Sequence, residues 1–145
     1  MNIQTAYFGE VEIDPTNILT FQFGLPGFEN EKEYILLPLE ENSVFQVLQS
    51  VQSAALTFII TNPYDITTNY SFDLEEATIH ALEIKDEKEV AVFAIVTLKE
   101  TIAKSTINLK APIVLNTTNK KAKQVILNNE DYLIRHLISS ESKEG

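Results

Sequence analysis

The chain has 145 residues, no cysteine and a formal net charge of −10. This length suits one domain with a core of its own, and the lack of cysteine excludes disulfides, thiolate zinc sites and a cysteine nucleophile. Thirteen acidic residues and one basic residue, Lys32, precede Lys85, whereas ten basic and eight acidic residues follow from Lys85 onward. The acidic first part disfavours direct binding of RNA or DNA and favours a basic protein partner.

Short strands are predicted throughout the N-terminal half, because β-branched and other apolar residues alternate with polar ones. Residues 7–13 predict a half-buried strand pair or a bent strand that ends before Pro15. Asn62-Pro63 ends the last strand of this half, since proline cannot donate a hydrogen bond to a sheet. The other strands predicted here span 18–23, 34–37, 44–48 and 56–61.

The segment 21–29, FQFGLPGFE, contains two of the chain's four glycines and three of its eight phenylalanines. Proline presets φ near −65° at the second position of a turn, and glycine accepts the positive φ that a type II turn needs at the third. We expect the turn to carry Phe28 and Glu29 to a rim, with Phe21 and Phe23 anchoring the core. The residues expected to shape it are Gly24, Pro26 and Gly27.

The C-terminal half predicts further strands at 78–84, 90–98, 107–109, 113–116 and 122–127, with Pro112 as a structural break. Residues 73–77 predict one turn of helix, capped by Asp73 or Ser71, and 85–89 predict a connection. Segment 90–98 is the most apolar and predicts a central strand covered on both faces. Residues 132–138 fit a helix or a strand. A single domain is expected at 1–138, and a flexible polar tail at 139–145.

About ten short strands without a long amphipathic helix predict an all-β, mainly antiparallel fold. We expect a single-domain, partly closed β-barrel or a sandwich, with one or two short helical turns.

The sequence favours binding over catalysis. The two histidines, His80 and His136, have no metal-ligand spacing, and nucleophile elbows, phosphate loops and calcium loops are absent. We therefore expect no enzyme activity, no metal site and no cofactor. The N-terminus lacks a signal peptide and no apolar stretch could span a bilayer, so a cytoplasmic protein without membrane contact is expected. The alternative is a different kind of function, in which a small β-barrel binds a ligand or carbohydrate in its interior.

Several segments together resemble the family of the flagellar assembly factor FliW. They are FQFGLPGFE at 21–29, LQS at 48–50, Asn62-Pro63, Tyr70, NLKAPIV at 108–114, and Gln124. The resemblance implies a bacterial cytoplasmic, barrel-like protein that binds flagellin and CsrA, the RNA-binding repressor of flagellin translation. In that partner switch the protein inhibits CsrA allosterically, away from its RNA-binding face, so that flagellin is translated. A flagellin chaperone without a regulatory role is the remaining alternative.

Charge and apolarity suggest which residues would contact these partners. Acidic residues would complement CsrA, which is basic because it binds RNA. Flagellin termini are amphipathic helices, for which an exposed apolar groove is expected. The acidic candidates are Glu29, Glu31, Glu33, Asp73, Glu75 and Glu76. The apolar candidates are Phe28, Phe45 and Tyr70.

Overall fold

A computed structural model of the chain describes residues 1–40 and 44–138, and this part contains eleven strands, one α-helix and four 3-10 helices. The strands are β1 (Asn2–Thr5), β2 (Gly9–Glu12), β3 (Leu19–Phe21), β4 (Glu33–Pro38), β5 (Phe45–Ser50), β6 (Thr57–Thr61), β7 (Val90–Thr97), β8 (Thr106–Ile107), β9 (Ile113–Asn116), β10 (Lys121–Gln124) and β11 (His136–Leu137). The helix is α1 (Glu76–Ala81). The 3-10 helices are Pro15–Asn17, Pro63–Asp65, Glu87–Glu89 and Ile102–Lys104.

Among the described residues, seven strands close into a barrel in the order β7-β6-β5-β4-β3-β10-β9, and β9 pairs back to β7. All of these pairs are antiparallel except β3 with β10. Strand β7 closes the barrel because its eight residues serve several partners: Val90–Phe93 pair with β9, whereas Val96 and Thr97 pair with β8. The predicted all-β, mainly antiparallel class is confirmed, and the barrel is closed rather than open.

Alternate residues of the barrel strands fill its interior. The largest are Phe21, Tyr34, Leu48 and Ile60, each at most 1% exposed. The Phe21 and Tyr34 rings meet edge to face, with centroids 5.2 Å apart, a geometry that aromatic pairs prefer. Side chains rather than a ligand cavity therefore occupy the space between these strands.

A second apolar cluster lies outside the barrel, on the other face of β5, β6 and β7. Val47, Ile59 and Val96 point into it, and the segments around Tyr70 and Leu109 cover them. The β1–β2 hairpin packs separately, because Ile3 and Ile13 bury themselves against Ile35 of β4. Of the strand pair or bent strand predicted at 7–13, only β2 lies in that segment, and its partner β1 was not predicted.

Tyr34 is the largest fully buried side chain, and its hydroxyl has no hydrogen-bond partner in the described residues. Burial, and secondly the charge of Glu31, raises the pKa of Tyr34 to about 12. The folded state thus holds this proton more tightly than the unfolded chain, whose tyrosines have pKa values of about 10. The resulting stabilisation is present below pH 10 and is lost as the pH rises through 12.

We expect Tyr34→Phe to leave the free energy of unfolding at neutral pH within about 1 kcal/mol of the parent, since the change removes an unpaired buried hydroxyl. The variant should also lose less stability than the parent above about pH 10. Urea unfolding at neutral and alkaline pH measures both effects. A loss above about 2 kcal/mol at neutral pH would show that the hydroxyl has a partner.

The strand predicted at 78–84 is wrong, because α1 occupies Glu76–Ala81. The Leu82 amide donates to the Thr78 carbonyl at 3.0 Å, as in a helix. The Leu82 carbonyl accepts from the side-chain amides of Asn116 at 2.8 Å and Asn119 at 3.0 Å. These distant partners favour the helix, although the alternation in sequence suits a strand.

The ends of several predicted elements also differ from the structure. The cap of α1 is Glu75, which makes no side-chain cap hydrogen bond, and not Asp73 or Ser71. Residues 132–138 contain the short strand β11 rather than a helix. The connection at 85–89 is confirmed and includes a 3-10 helix whose capping box joins Asp86 and Glu89. The predicted tail, 139–145, lies outside the described residues.

Candidate partner-binding surfaces

The turn at residues 25–28 has the predicted type II geometry. The Phe28 amide donates to the Leu25 carbonyl at 2.7 Å, and Gly27 after Pro26 has φ +87°. The Glu29 carboxylate accepts from the Gly27 amide at 3.0 Å, and this hydrogen bond lowers the pKa of Glu29. Glu29 therefore helps to fix the turn while remaining exposed.

A second tight turn precedes this one, where the Gly24 amide donates to the Phe21 carbonyl at 2.8 Å. Gly24 has φ +65°, and a Cβ atom at this position would lie 2.6 Å from Cα of Glu29. The turn also separates the two aromatic side chains before it. Phe21 is fully buried, but Phe23 follows the end of β3 and is 54% exposed. The expectation that Phe23 anchors the core is therefore wrong.

The segment 108–112 forms another side-chain-supported turn. The Asn108 carboxamide oxygen accepts from the amides of Lys110 and Ala111, each at 3.0 Å. The Ala111 carbonyl in turn accepts from the side chain of Gln124 at 3.0 Å. Pro112 is buried immediately before β9 and so marks the start of a barrel strand, as predicted.

The turns at 25–28 and 108–112 meet at one end of the barrel and border a cavity of about 430 Å³. We call it the end cavity. Ile126 and Ile134 are 64% and 61% exposed on its rim, and Phe28 stands beside it with its ring centroid 5.9 Å from that of Phe58. The lining residues are Leu25, Pro26, Phe58, Ile95, Asn108, Lys110, Ala111, Gln124, Ile126 and Ile134.

The predicted acidic cluster at 29–33 is only partly available to a partner. The Glu31 carboxylate accepts from the hydroxyls of Ser50 at 2.6 Å and Ser53 at 2.8 Å, so it holds the connection between β5 and β6. Glu33 begins β4 and is exposed, opposite Thr20 of β3. Glu31 thus has a structural role, which could not be predicted from its position in a run of acidic residues.

The second predicted cluster lies on a groove. Cavities of about 790 Å³ and 460 Å³ lie on the two sides of segment 72–74, and Asp73 borders both. Glu75 borders the smaller one. Asp86 and Glu87 border the larger one, together with Ile79, Val90 and Val92. We call the two cavities together the acidic groove, because Asp73, Glu75, Asp86 and Glu87 border it against one lysine, Lys85. These residues surround an apolar floor.

The apolar candidates Phe45 and Tyr70 belong to the second apolar cluster rather than to a surface groove. Tyr70 is 3% exposed, and its hydroxyl donates to the Leu109 carbonyl at 2.6 Å. Burial, followed by the neighbouring Tyr64 and Tyr132, raises the pKa of Tyr70. Tyr70 is therefore a core residue with little surface for a partner, and its role as a partner contact stays a prediction. Phe45 is half-buried.

Sequence reasoning did not find Phe58, Ile126 or Ile134 as candidates, although they form much of the end cavity. The available signal was the pair of turns at 25–28 and 108–112. Each was recognised, but their convergence depends on the closure of the barrel.

The described ranges contain no cluster of three or more His, Asp or Glu residues that could hold a metal ion. His80 lies exposed on α1 rather than in a strand, and His136 lies in β11. No helix within 1–40 or 44–138 has the length and apolarity to cross a membrane.

Comparisons with known proteins give the same family over nearly the whole chain. The model of the family described as FliW protein matches residues 2–138. The chain is 51% identical to the flagellar assembly factor FliW of Oceanobacillus iheyensis, covering 100% of this chain and 99% of the relative. It is 44% identical to that of Bacillus subtilis, over 98% and 99% of the two chains. A crystal structure of the flagellar assembly factor FliW matches with a TM-score of 0.88 and 39% identity, covering 97% of this chain and 99% of the other.

Proposed function

Because the chain belongs to the FliW family, we propose that it is a flagellar assembly factor that binds flagellin and CsrA in a partner switch in the bacterial cytoplasm. Capture of CsrA releases flagellin mRNA for translation, and accumulating flagellin takes the protein away from CsrA. The observation that carries the assembly role is the full-length match to relatives with that name, at 51% identity for one of them. The acidic groove and the end cavity supply surfaces for the two partners.

The protein acts by binding and not by catalysis. Its relatives are named for assembly rather than for a reaction, and no cofactor enters the proposal. The filled barrel interior disfavours the alternative of a ligand- or carbohydrate-binding barrel, because Phe21, Tyr34 and Leu48 occupy the space that a ligand would need.

CsrA docks on the acidic groove. Asp73 borders both cavities of the groove, Glu75 borders the smaller one, and Asp86 and Glu87 border the larger one. Glu76 is exposed next to Glu75 at the start of α1. A protein that binds RNA carries a basic surface, and opposite charges at the rim raise the association rate and orient the complex. The apolar floor supplies the area that desolvated contacts need. The positive field of CsrA steers it to the groove, whereas the contact itself lies outside the RNA-binding face, so that the inhibition is allosteric.

The cluster at 29–33 makes a smaller contribution to CsrA binding. Glu29 and Glu31 already accept hydrogen bonds within the protein, so a partner would have to compete with them. Glu33 is the member of this cluster with an exposed carboxylate on the barrel wall.

Flagellin docks on the end cavity through an amphipathic terminal helix. Ile126, Ile134 and Phe28 are exposed around the opening, and an apolar helix face buries such side chains at spacings of three and four residues. Phe28 links the turn at 25–28 to this surface, because its ring packs on Phe58.

The acidic groove and the end cavity share Ile126, which borders the smaller cavity of the groove as well as the end cavity. Neighbouring sites on one short segment would allow one occupant to exclude the other. The experiment that tests the proposal is displacement of CsrA from this protein by flagellin monomers. A flagellin chaperone without a regulatory role would bind flagellin and leave CsrA unbound.

A further inference from the structure

A third surface lies on the barrel wall, where basic side chains gather in an otherwise acidic protein. Lys32 is the one basic residue among the first 84, and the fold places it beside Lys121 and Lys123 of β10. They border a cavity of about 390 Å³, which we call the lysine pocket. Its lining residues are Thr20, Gln22, Phe23, Lys32, Ala81, Leu82, Lys121, Ala122 and Lys123.

The local geometry holds these cations around an exposed aromatic ring. Lys121 and Lys123 point to the same side of β10, because Ala122 between them faces the barrel interior. The Lys123 ammonium lies 5.5 Å from the centroid of the Phe23 ring, and the Lys32 ammonium donates to the Gln22 carbonyl at 2.9 Å. Phe23 is 54% exposed and is not needed by the core.

Two acidic residues border this positive charge, and one of them neutralises a single lysine. Glu83 pairs with Lys121, which lowers the pKa of Glu83. Glu33 lies opposite Thr20, which in turn lies opposite Lys121. Lys32 and Lys123 keep their ammonium groups directed at backbone and ring rather than at a carboxylate. Their charges are therefore available to an anionic partner.

We propose that the lysine pocket binds a short acidic segment of a partner protein, with an apolar side chain of that segment against Phe23 and the pocket floor. The apolar part of the lining comes from Phe23, the partly exposed Ala81 and the almost buried Leu82. Carboxylates of the segment pair with Lys32 and Lys123, and an aromatic side chain gains a ring contact with Phe23. Binding here is independent of CsrA and flagellin and goes beyond the proposed function.

A short peptide fits this surface better than a nucleic acid. Charge interactions at the surface act over about 8 Å at physiological ionic strength, so a short segment responds mainly to the local lysines. A polynucleotide carries a charge at every residue and would extend into the acidic surroundings, which repel it. Three lysines also offer few phosphate contacts.

The test uses a blocked, fluorescein-labelled peptide with a central phenylalanine and two aspartates on each side, followed by fluorescence anisotropy with the full chain. We expect saturable binding that Lys32→Glu/Lys123→Glu weakens by about tenfold or more, because each substitution removes an attraction and adds a repulsion. Phe23→Ala should weaken binding about threefold or more, since the ring contact is lost. A peptide with alanine at the centre should show the same loss.

The matched control is Lys99→Glu/Lys104→Glu, which changes the net charge equally at exposed residues between β7 and β8. It should alter the affinity by less than about twofold. The gentler variant Lys32→Gln/Lys123→Gln keeps the test informative if charge reversal disturbs folding, as judged by circular dichroism. Three results would each overturn the proposal: no binding at about 1 mM peptide, equal weakening by the control, or tighter binding of an oligouridylate than of the peptide.

Discussion

Gly24→Ala is expected to lower the free energy of unfolding by about 2–5 kcal/mol. Gly24 has φ +65°, and the added Cβ would lie 2.6 Å from Cα of Glu29 and 2.8 Å from its carbonyl carbon. The left-handed conformation costs a residue with a Cβ about 1–2 kcal/mol. The overlap adds about 1–3 kcal/mol, because backbone atoms must move to relieve it. Urea unfolding of both proteins measures the difference.

Gly9→Ala is the matched control for this prediction. Gly9 has φ +67°, but a Cβ there would meet no atom within 4 Å. The control should therefore show only the conformational cost, about 1–2 kcal/mol. Gly27→Val should likewise lose stability through the backbone conformation alone, since Gly27 has φ +87° and open space around its Cβ position. Equal losses for Gly24→Ala and Gly9→Ala would contradict the close approach of the two turns.

Reversing the charges of the acidic groove is expected to weaken CsrA binding about 100-fold or more at low salt. The variant is Asp73→Lys/Glu75→Lys/Glu76→Lys. An exposed ion pair is worth about 0.5 kcal/mol, so each reversal at the rim, which removes one attraction and adds one repulsion of that size, costs about 1 kcal/mol. Three such changes sum to about 3 kcal/mol, which corresponds to the stated factor. Titration calorimetry at low and high salt provides the measurement.

The control for this variant changes the net charge by the same amount at a distance from the groove. Glu12→Lys/Glu40→Lys/Glu100→Lys alters three exposed carboxylates on other segments. It should lower CsrA affinity by less than about tenfold, through the long-range field alone. Equal effects of the two triple variants would place CsrA elsewhere, and so would an affinity that does not depend on salt.

Much of the fold could be predicted from residue patterns. Period-two alternation located the barrel strands, and proline before glycine gave the type of the turn at 25–28. Both signals are local, because the pleat and the turn geometry depend on neighbouring residues. The alternation at 78–84 wrongly predicted a strand, because contacts with distant parts of the chain decide the structure of this segment. Asn116 and Asn119 stabilise α1 from more than thirty residues away in the chain.

The candidate surfaces were harder to predict than the strands. The acidic run in the sequence pointed to the acidic groove, because Asp73 and Glu75 are close in sequence and border the same cavity. The end cavity depends on two turns more than eighty residues apart, which only the closed barrel brings together. Glu31 and Tyr70 have internal hydrogen bonds to partners distant in sequence. Residue type alone could not distinguish them from partner contacts.

Displacement of bound CsrA by flagellin is the direct test of the proposed partner switch. Fluorescently labelled CsrA is first bound to this protein, and purified flagellin monomers are then added in increasing amounts while the anisotropy is followed. We expect flagellin to release CsrA completely, and Ile134→Glu, which alters the end cavity but not the acidic groove, to make the protein retain CsrA at the same flagellin concentrations. Stable binding of both partners at once, with no CsrA released at saturating flagellin, would contradict the claim.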